Sequence, residues 1–334
     1  MYYSFIIPCF NRADEVQELL ESFSKLNIPP ALSFEIILVD GSPTEILKPV
    51  IKEFAGTLPV SHEHKPKLAI SPSRNLGAQL AKGDYLIFLD SDVILPPEYL
   101  IQVDTFLQKT DADSFGGPDK AHESFTDTQK AISYAMTSFL TTGGIRGGKQ
   151  HLHQFHPRGF NMGIRKSVFD AVSGYSSMTC GEDIELSIRI IKAGYKVLLN
   201  PHALVYHKRR STFKSFFRQV FRFGAARINI FQRHRSELKI THMFPAAFVL
   251  FLGAGIILSY FFSLVAKVFL VTVGVYFLTI FLDATIQNKS LKVGGMSVVA
   301  SLIQLMGYGI GFLTNAYSVF VLGNKDGMKL GASK

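Results

Sequence analysis

The sequence predicts an α/β domain with a mostly parallel sheet and helices on both faces, followed by a C-terminal transmembrane helical region. Three observations support this fold class. Short apolar runs alternate with helical patterns early in the chain, three of these runs end in polar clusters, and the last 90 or so residues are far more apolar than the first 240. Alternating strands and helices are typical of a parallel sheet that is covered on both faces.

The predicted elements follow one another as strand and helix. Each predicted strand is a short apolar run, and each predicted helix has apolar residues three or four positions apart. In order, they are strand 4–7, helix 14–25, strand 34–39, helix 76–81, strand 85–89 and helix 182–193. Ligands of such sheets bind at the carboxyl ends of the strands. We therefore expect the polar clusters 8–11, 40–42 and 90–92 at one edge of the sheet.

A glycine-rich stretch, residues 143–159, interrupts this pattern. It contains five glycines and no apolar periodicity, which predicts a long loop of the kind that often serves as a functional lid. The stretch includes His151, His153 and His156 in an H-x-H-x-x-H pattern. A metal site is one interpretation. A solvated or acceptor-facing loop is favoured, because the stretch contains no other metal ligand.

The charge pattern of the C-terminal part predicts a basic segment at the membrane surface, followed by membrane spans. Residues 208–239 include ten Lys or Arg and one acid, interleaved with phenylalanines, as in amphipathic helices on anionic membrane faces. The run 244–282 has Lys267 as its only charge and is long enough for two spans of roughly 20 residues with a hairpin near Lys267. The predicted organisation is an α/β domain at 1–207, an interfacial segment at 208–242, a transmembrane region at 243–323 (about 244–264, 268–286 and 297–323) and a tail at 324–334.

The positions of the basic residues also predict an orientation. Lysine and arginine are enriched on the cytoplasmic side of membrane proteins. We therefore expect a multi-pass protein of the inner (cytoplasmic) membrane with residues 1–242 in the cytoplasm. The tail, with Lys325, Lys329 and Lys334, would then lie outside, which fits the rule poorly. A re-entrant third apolar segment is the alternative.

Charge and cysteine content limit the classes of partner. The formal net charge of +9 indicates an anionic partner, which could be nucleic acid, a membrane face or a phosphorylated ligand. Anionic membrane lipids are favoured over nucleic acid, because the basic residues adjoin the predicted spans. Cys9 and Cys180 are the two cysteines, and without a C-x-x-C pair they predict neither a disulfide framework nor a zinc ribbon. The N-terminus does not have the pattern of a signal peptide.

Asp90-Ser91-Asp92 is the polar cluster with the most specific chemistry. Two carboxylates directly after a buried strand have the spacing to bind a divalent metal that also contacts phosphate oxygens. Aspartates at this position also serve turns through side-chain hydrogen bonds. The motif alone leaves both interpretations open.

Five segments taken together resemble the family 2 glycosyltransferases. They are SFIIPCFNRADEV, EIILVDGS, SRNLGAQLAKGDYLIFLDSD, NMGIRKSVFDAVSGY and GEDIELSIRIIKAGYKVLLNPHALVYH, and the resemblance covers about residues 4–223. It implies a catalytic domain of the GT-A fold, a nucleotide-diphosphate sugar donor (a UDP-sugar favoured) and a Mg²⁺ or Mn²⁺ cofactor. The residues that it places at the donor and its metal are Pro8, Phe10, Asn11, Asp40, Arg74, Asp90, Ser91 and Asp92. From chemistry alone, Arg74 is equally compatible with a surface ion pair.

The resemblance also implies a catalytic role for two neighbouring acidic residues. Glu182 and Asp183 begin a predicted helix, where acids are favoured by the helix dipole whatever their function. The resemblance implies that Asp183, next to Glu182, is the general base that deprotonates an acceptor hydroxyl, with inversion at the anomeric carbon. It also suggests His207 as a third metal ligand, although a partly buried structural histidine is the alternative.

Residues 219–223 resemble a Q-x-x-R-W motif of processive family members, with Phe223 in place of tryptophan. This makes Gln219 and Arg222 candidates to contact the acceptor and the diphosphate. A helix whose arginines bind lipid head groups is the alternative.

The function expected from the whole chain is sugar transfer by a membrane-bound inverting glycosyltransferase. The expected acceptor is a hydroxyl on a lipid-linked saccharide or a growing surface glycan, because a polyprenyl phosphate would need no general base. A polyprenyl-phosphate glycosyltransferase is the alternative within the class. A non-enzymatic membrane protein with a nucleotide-binding regulatory domain is the alternative outside it, although the predicted spans offer no evident ion path.

Overall fold

The chain forms two compact units in a computed structural model that describes residues 1–142, 155–324 and 327–328. The first unit comprises Met1–His122 and His153–Lys208, and the second comprises Glu123–Leu152 and Arg209–Lys334. The predicted division lay after residue 207. The predicted domain 1–207, however, also included residues 123–142, which the structure groups with the C-terminal helices.

The first unit is an α/β domain, as the alternating pattern predicted. Its strands are β1 (Tyr2–Cys9), β2 (Ser33–Asp40), β3 (Val60–His64), β4 (Tyr85–Leu89), β5 (Val93–Ile94), β6 (Ser114–Gly116), β7 (Asp119–Lys120), β8 (Asn161–Arg165), β9 (Val197–Leu199) and β10 (Val205–His207). Its helices are α1 (Ala13–Phe23), α2 (Lys48–Phe54), α3 (Ile70–Leu80), α4 (Tyr99–Thr110), α7 (Lys166–Ala171) and α8 (Glu182–Lys192); α5 and α6 belong to the second unit.

Seven strands form the main sheet, in the order β3-β2-β1-β4-β8-β6-β9. The pairs β3–β2, β2–β1, β1–β4 and β6–β9 are parallel, whereas β8 runs antiparallel to both β4 and β6. One apolar core lies between the sheet and α1, α2 and α4, and a second lies between the other face and α3, α7 and α8. The fold class is therefore confirmed, with one antiparallel strand in a mostly parallel sheet.

The chain order of the strands reverses beside β1. The chain passes from β1 outward to β2 and β3 and then returns to place β4 on the other side of β1. In open α/β sheets the crevice at such a switch point is where ligands bind. Residues 10–12 and 90–92 follow these two strands, so the topology brings them to this crevice.

A second sheet of three short strands adjoins the end of β4. Its order is β5-β10-β7, with His207 opposite Val93 and Val205 opposite Asp119. The amide of Lys208 also donates a hydrogen bond to the carbonyl of Asp92 at 2.9 Å. Three segments that are distant in sequence are thus fixed beside one another by backbone hydrogen bonds.

The second unit is helical. It contains α5 (Asp127–Thr137), α6 (Phe139–Thr142), α9 (Phe213–Arg233), two 3₁₀ turns (Arg235–Glu237 and Ile240–Met243), α10 (Phe244–Phe261), α11 (Ser263–Asn288) and α12 (Leu291–Phe320). Ala131 and Ile132 of α5 pack in one cluster with Phe216 and Val220 of α9 and with α12, which explains why residues 123–142 belong to this unit. The amphipathic pattern of the basic segment therefore corresponds to α9, whose apolar face packs against α12.

Close packing of α9 on α12 depends on glycine. A Cβ added at Gly224 would overlap the carbonyl oxygen of Tyr308, and one added at Gly311 would overlap the carbonyl oxygen of Phe221. Nearby, the buried Asn315 amide donates to the carbonyl of Ala225 at 2.6 Å. Small residues that let two helix backbones approach, with a polar side chain bridging them, are typical of helix pairs in membranes.

Among the described residues, three helices have the length and composition to cross a membrane. They are Ile240–Phe261, Ser263–Asn288 and Leu291–Phe320. Two predicted bounds differ. The first two helices separate at Phe262 rather than near Lys267, and the third begins at Leu291 rather than at 297. The Ser290 side chain accepts a hydrogen bond from the Val293 amide and caps that earlier start, a signal that counting apolar residues does not detect.

Candidate active site

Asp90, Asp92 and His207 form a cluster at the switch point of the main sheet. One ligand atom from each of the three side chains lies within 4.8 Å of the others. Asp90 follows β4 directly, Asp92 precedes β5, and His207 ends β10. The small sheet therefore brings the histidine to two carboxylates more than 100 residues earlier in the chain.

The chemistry of this donor set suits a divalent cation. Octahedral ions such as Mg²⁺ have ligands at about 2.0–2.1 Å, which places opposite donors about 4 Å apart. The spacing of the cluster is compatible with that geometry. Two carboxylates and one imidazole are hard and borderline donors of the kind that bind Mg²⁺ or first-row divalent metals. The residues present therefore fit the metal that the resemblance implied.

Two further charged side chains contact this cluster, and neither was among the predicted site residues. Arg12 Nη1 lies 3.1 Å from Asp92 Oδ2 and 3.1 Å from Glu15 Oε1. Asp119 Oδ2 lies 3.3 Å from Nδ1 of His207, while Nε2 of the same ring lies 3.3 Å from Asp92 Oδ1. Arg12 was visible as a cation beside a predicted strand end. Asp119 had no sequence signal, because β7 is only two residues long.

Arg74, which the resemblance places at the nucleotide, is buried and contacts two carboxylates. Its side chain is 2% exposed, and it donates to Asp90 Oδ1 and to Glu182 Oε1, both at 2.8 Å. The guanidinium also lies 5.1 Å from the centroid of the Tyr175 ring. With its donors directed to two carboxylates and its face to an aromatic ring, Arg74 links the cluster to the start of α8 and does not reach the surface.

Asp40, which the resemblance places at the donor, is fully buried in the structure. It is 0% exposed; Oδ1 accepts a hydrogen bond from the Ser42 amide at 2.9 Å, and Oδ2 lies 3.7 Å from His62 Nε2. Burial lowers the pKa of His62 even though Asp40 opposes this effect. The Ser42 hydroxyl accepts from the Asn11 amide at 2.8 Å, so Asp40 supports the loop at Asn11 indirectly.

Glu182 and Asp183 have different electrostatic environments at the start of α8. Desolvation raises the pKa of Glu182, although Arg74 opposes this shift. Burial would also raise the pKa of Asp183, but the Arg158 guanidinium and a hydrogen bond from the Gly159 amide bring that pKa below its usual value. Asp183 Oδ2 accepts from the Gly159 amide at 3.0 Å. Asp183 is thus ionised at neutral pH, as a base must be.

The other predicted site residues divide between the two units. Pro8, Phe10 and Asn11 follow one another at the end of β1, where Phe10 is 41% exposed and Asn11 adopts a positive φ of 53°. Ser91 is buried between the two aspartates. Gln219 and Arg222 lie on α9 in the second unit, where both side chains are half-buried.

The predicted histidine-rich loop is only partly described. His151 and His153 lie outside the described residues. His156 Nδ1 lies 2.7 Å from the hydroxyl of Ser187 on α8, one turn after Asp183.

Known proteins are similar to this chain in sequence or in fold. The succinoglycan biosynthesis protein ExoA of Rhizobium meliloti is 29% identical over 246 residues, which cover 72% of this chain and 74% of ExoA. An undecaprenyl-phosphate 4-deoxy-4-formamido-L-arabinose transferase of Pseudomonas fluorescens is 22% identical over 249 residues, or 72% of this chain and 56% of that protein. The mannosyltransferase PcManGT of Pyrobaculum calidifontis, solved in complex with GDP-Man and Mn²⁺, has a TM-score of 0.64 and 15% identity over 90% of this chain and 86% of its own.

The structural likeness shows a shared GT-A fold, and the family itself follows from the sequence. The model of glycosyl transferase family 2 matches residues 4–173, just over half of the chain. This match includes β1 to β8 of the first unit, with Asp90 and Asp92. The chain is therefore a glycosyltransferase and belongs to glycosyl transferase family 2.

Proposed function

We propose that this glycosyltransferase is membrane-bound and inverting, and that it moves a sugar from a nucleotide-diphosphate sugar to a hydroxyl acceptor. The observation that supports this most is one connected set of side chains. Arg74 contacts Asp90 of the cluster and Glu182 at the start of α8, each at 2.8 Å. Glu182 is the neighbour of Asp183 in the sequence. This connected set supports a site for the leaving diphosphate and a candidate base within the same unit.

Asp90, Asp92 and His207 would bind the divalent cation, Mg²⁺ or Mn²⁺. When bound, that ion neutralises the charge that develops on the leaving diphosphate. A nitrogen ligand favours Mn²⁺ over Mg²⁺, because Mg²⁺ prefers oxygen donors. Arg12 at Asp92 supplies a further positive charge at the same edge. The exposed Phe10 ring offers a surface on which a nucleotide base can stack.

Asp183 would accept the proton of the acceptor hydroxyl as that oxygen attacks the anomeric carbon. A single displacement of this kind inverts the configuration, and the leaving diphosphate needs no proton from the protein. The hydrogen bond from the Gly159 amide fixes the orientation of the carboxylate. Glu182 would support Asp183 by orienting Arg74 rather than by exchanging a proton.

A lipid-linked saccharide or growing surface glycan is the proposed acceptor, with the protein in the cytoplasmic membrane and the first unit in the cytoplasm. Three helices of sufficient length and apolar character follow the first unit. The relatives include a succinoglycan biosynthesis protein and an undecaprenyl-phosphate transferase by name. The second name makes polyprenyl phosphate the alternative acceptor. Such an acceptor is already ionised and would not require Asp183 as a base.

Donor binding is tested with the full chain in detergent. The melting temperature is measured with UDP-, GDP- and dTDP-sugars in the presence of Mn²⁺, for the wild type and for Asp92→Asn. We expect one donor to stabilise the wild type and to lose its effect in the variant. The absence of stabilisation by every donor would contradict the proposed donor class.

The acceptor class is tested by turnover with that donor. Asp183→Asn is expected to lower kcat about 10²–10⁴-fold with a hydroxyl acceptor, the usual contribution of general base catalysis. Full turnover in this variant, together with loss in Asp92→Asn, would contradict the general-base role. Turnover with a polyprenyl phosphate and none with a hydroxyl acceptor would favour the phosphate acceptor. The anomeric configuration of the product, determined by NMR, tests inversion separately.

A further inference from the structure

His207 lies between two carboxylates, one on each ring nitrogen. Nε2 faces Asp92 Oδ1 and Nδ1 faces Asp119 Oδ2, each at 3.3 Å. Asp92 belongs to the proposed metal site. Asp119 does not, and its side chain is only 3% exposed, so it is not available to a ligand from solution.

We propose that Asp119 is a positioning residue of the metal site. It accepts a hydrogen bond from the Nδ1–H group of His207 and thereby directs the Nε2 lone pair towards the cation at Asp90 and Asp92. This inference rests on the proposed function, because it requires a metal ion in that cluster.

The donor and acceptor inventory of the three groups supports this assignment. A neutral imidazole has one N–H donor and one lone pair, and an ionised carboxylate can only accept. With the proton on Nδ1, the contact with Asp119 is a hydrogen bond, and Nε2 presents its lone pair to Asp92 Oδ1. Two acceptors at that distance repel each other unless both contact the same cation, and Arg12 contacts the other oxygen of Asp92. A metal ion ligated by both atoms satisfies this requirement.

The small sheet fixes the ring in this orientation. Asp119 begins β7 and lies opposite Val205 of β10, while His207 at the end of β10 lies opposite Val93 of β5. The Phe160 ring packs against the imidazole, with 4.8 Å between ring centroids. Backbone pairing therefore sets the position of His207, Phe160 contacts its ring, and Asp119 determines which nitrogen is protonated.

The expected size of the effect follows from known metal sites. Removing the hydrogen-bond partner of a metal-ligating histidine typically weakens metal affinity about 10–100-fold. A carboxylate also makes the imidazole a stronger ligand than an amide partner does, because the negative charge increases its basicity. Loss of the Asp119 charge and loss of its hydrogen bond should therefore have separable effects.

The test is a titration of the full chain in detergent with Mn²⁺ alone, followed through the EPR signal of free aqueous Mn²⁺. We expect Asp119→Ala to weaken binding about 10–100-fold and Asp119→Asn to weaken it less, because asparagine retains an acceptor oxygen. Asp104→Asn is the matched control. Asp104 is also a buried carboxylate, bonded to the Tyr3 hydroxyl at 2.6 Å, and it belongs to α4 outside the cluster.

A double-mutant cycle distinguishes positioning from a general structural role. If Asp119 acts through His207, Asp119→Ala has no further effect on Mn²⁺ affinity in the His207→Ala background. Additive losses, or wild-type affinity in both Asp119 variants, would overturn the inference. If Asp119→Ala does not fold, the near-isosteric Asp119→Asn provides the same cycle.

Failure of the metal site itself gives a different result. If the wild type does not bind Mn²⁺, or if Asp92→Asn binds it as tightly as the wild type, the metal site of the proposed function is wrong, and the role of Asp119 falls with it. If Asp92→Asn abolishes binding while Asp119 variants do not weaken it, only the inference about Asp119 is wrong.

Discussion

At the scale of single residues, the electrostatic environment of Asp183 determines how its proposed role depends on pH. A general base acts in its ionised form, so activity is lost as the pH falls through its pKa. Arg158 and the Gly159 amide lower the pKa of Asp183 below its usual value, although burial opposes them. The acid limb of the pH profile should therefore lie below about pH 4, the value for an ordinary aspartate.

Arg158→Ala should move that limb to higher pH. Removal of a cation close to a carboxylate raises the pKa of the carboxylate by about one unit or more. Burial, which also raises the pKa of Asp183, is then no longer opposed by Arg158. The measurement is kcat/KM from below pH 4, where the wild-type limb is expected, up to pH 8, with Arg158→Lys as the control that keeps the charge. An unchanged limb in Arg158→Ala would show that Asp183 is not the titrating base.

The position of a candidate site residue could be predicted from the sequence where its side chain follows a strand directly. Asp90, Asp92 and Asn11 do so, and the structure places them at one sheet edge. The sequence could not show that Asp40 and Arg74 are buried, because burial depends on the partners of a side chain, and those partners come from distant segments. His62 lies beside Asp40, and Glu182 accepts from Arg74 across more than 100 residues.

At the scale of elements, Arg74 joins α3 to the start of α8 and to the end of β4. Removing one member of a buried ion pair leaves its partner charge uncompensated, and this typically costs about 3–5 kcal/mol. Arg74→Ala should therefore lower the melting temperature of the full chain markedly.

Arg165→Ala is the matched control for this change. Arg165 also pairs with acids, but it is 34% exposed, and its partner Asp111 is 91% exposed. Exposed pairs contribute about 0–1 kcal/mol, so this variant should melt close to the wild type. Equal effects of the two substitutions would contradict the buried linkage.

The contact between α9 and α12 gives a second prediction for elements. Gly224→Ala and Gly311→Ala would each place a methyl group against a backbone carbonyl of the opposite helix. Overpacking of this kind costs about 1–3 kcal/mol, so the melting temperature should fall. Gly274→Ala in α11 meets no atom within 4 Å and should leave it unchanged or raise it, because alanine favours helix. A fall of similar size in all three variants would point to loss of flexibility instead.

Elements were predictable in proportion to their length and periodicity. The apolar strands β1, β2 and β4 and the helices α1 and α8 were identified within a few residues. The short strands β5, β7 and β10, of two or three residues, have no period to detect and exist because they pair with one another. Helix α5 was predicted within the α/β domain, because its partners on α9 and α12 lie far along the chain and leave no local signal.

At the scale of the whole molecule, α10 and α11 expose apolar side chains over most of their length. Val275, in the middle of α11, is 59% exposed. If this surface faces lipid, Val275→Arg places a charge near the bilayer centre at a cost of about 2.5–3.5 kcal/mol. The expected result is a smaller fraction of protein in carbonate-washed membranes.

Ile286→Arg is the control for membrane insertion. Ile286 is even more exposed, at 75%, but it lies near the end of α11, where a long basic side chain can reach the interface. Wild-type recovery of Val275→Arg in the membrane fraction would contradict lipid contact at this surface.

The fold class was the most predictable property of the whole chain, since it follows from the alternation of strands and helices and from the loss of charge near the C-terminus. The division into units was less predictable. A segment between two parts of the α/β domain packs with helices that come much later in the chain, and no local pattern encodes that choice.

The small sheet β5-β10-β7 also has a consequence for the order of folding during synthesis. The main-sheet strands β1, β2, β3 and β4 can pair before residue 100 has been made, whereas the third member of the cluster is His207, one residue before the end of the first unit. Contacts between residues so far apart in the chain form late, because loop closure precedes them. The nascent protein therefore has most of its sheet well before the candidate metal-binding cluster is complete. Asp90 and Asp92 meet His207 only when nearly all of the first unit has left the ribosome.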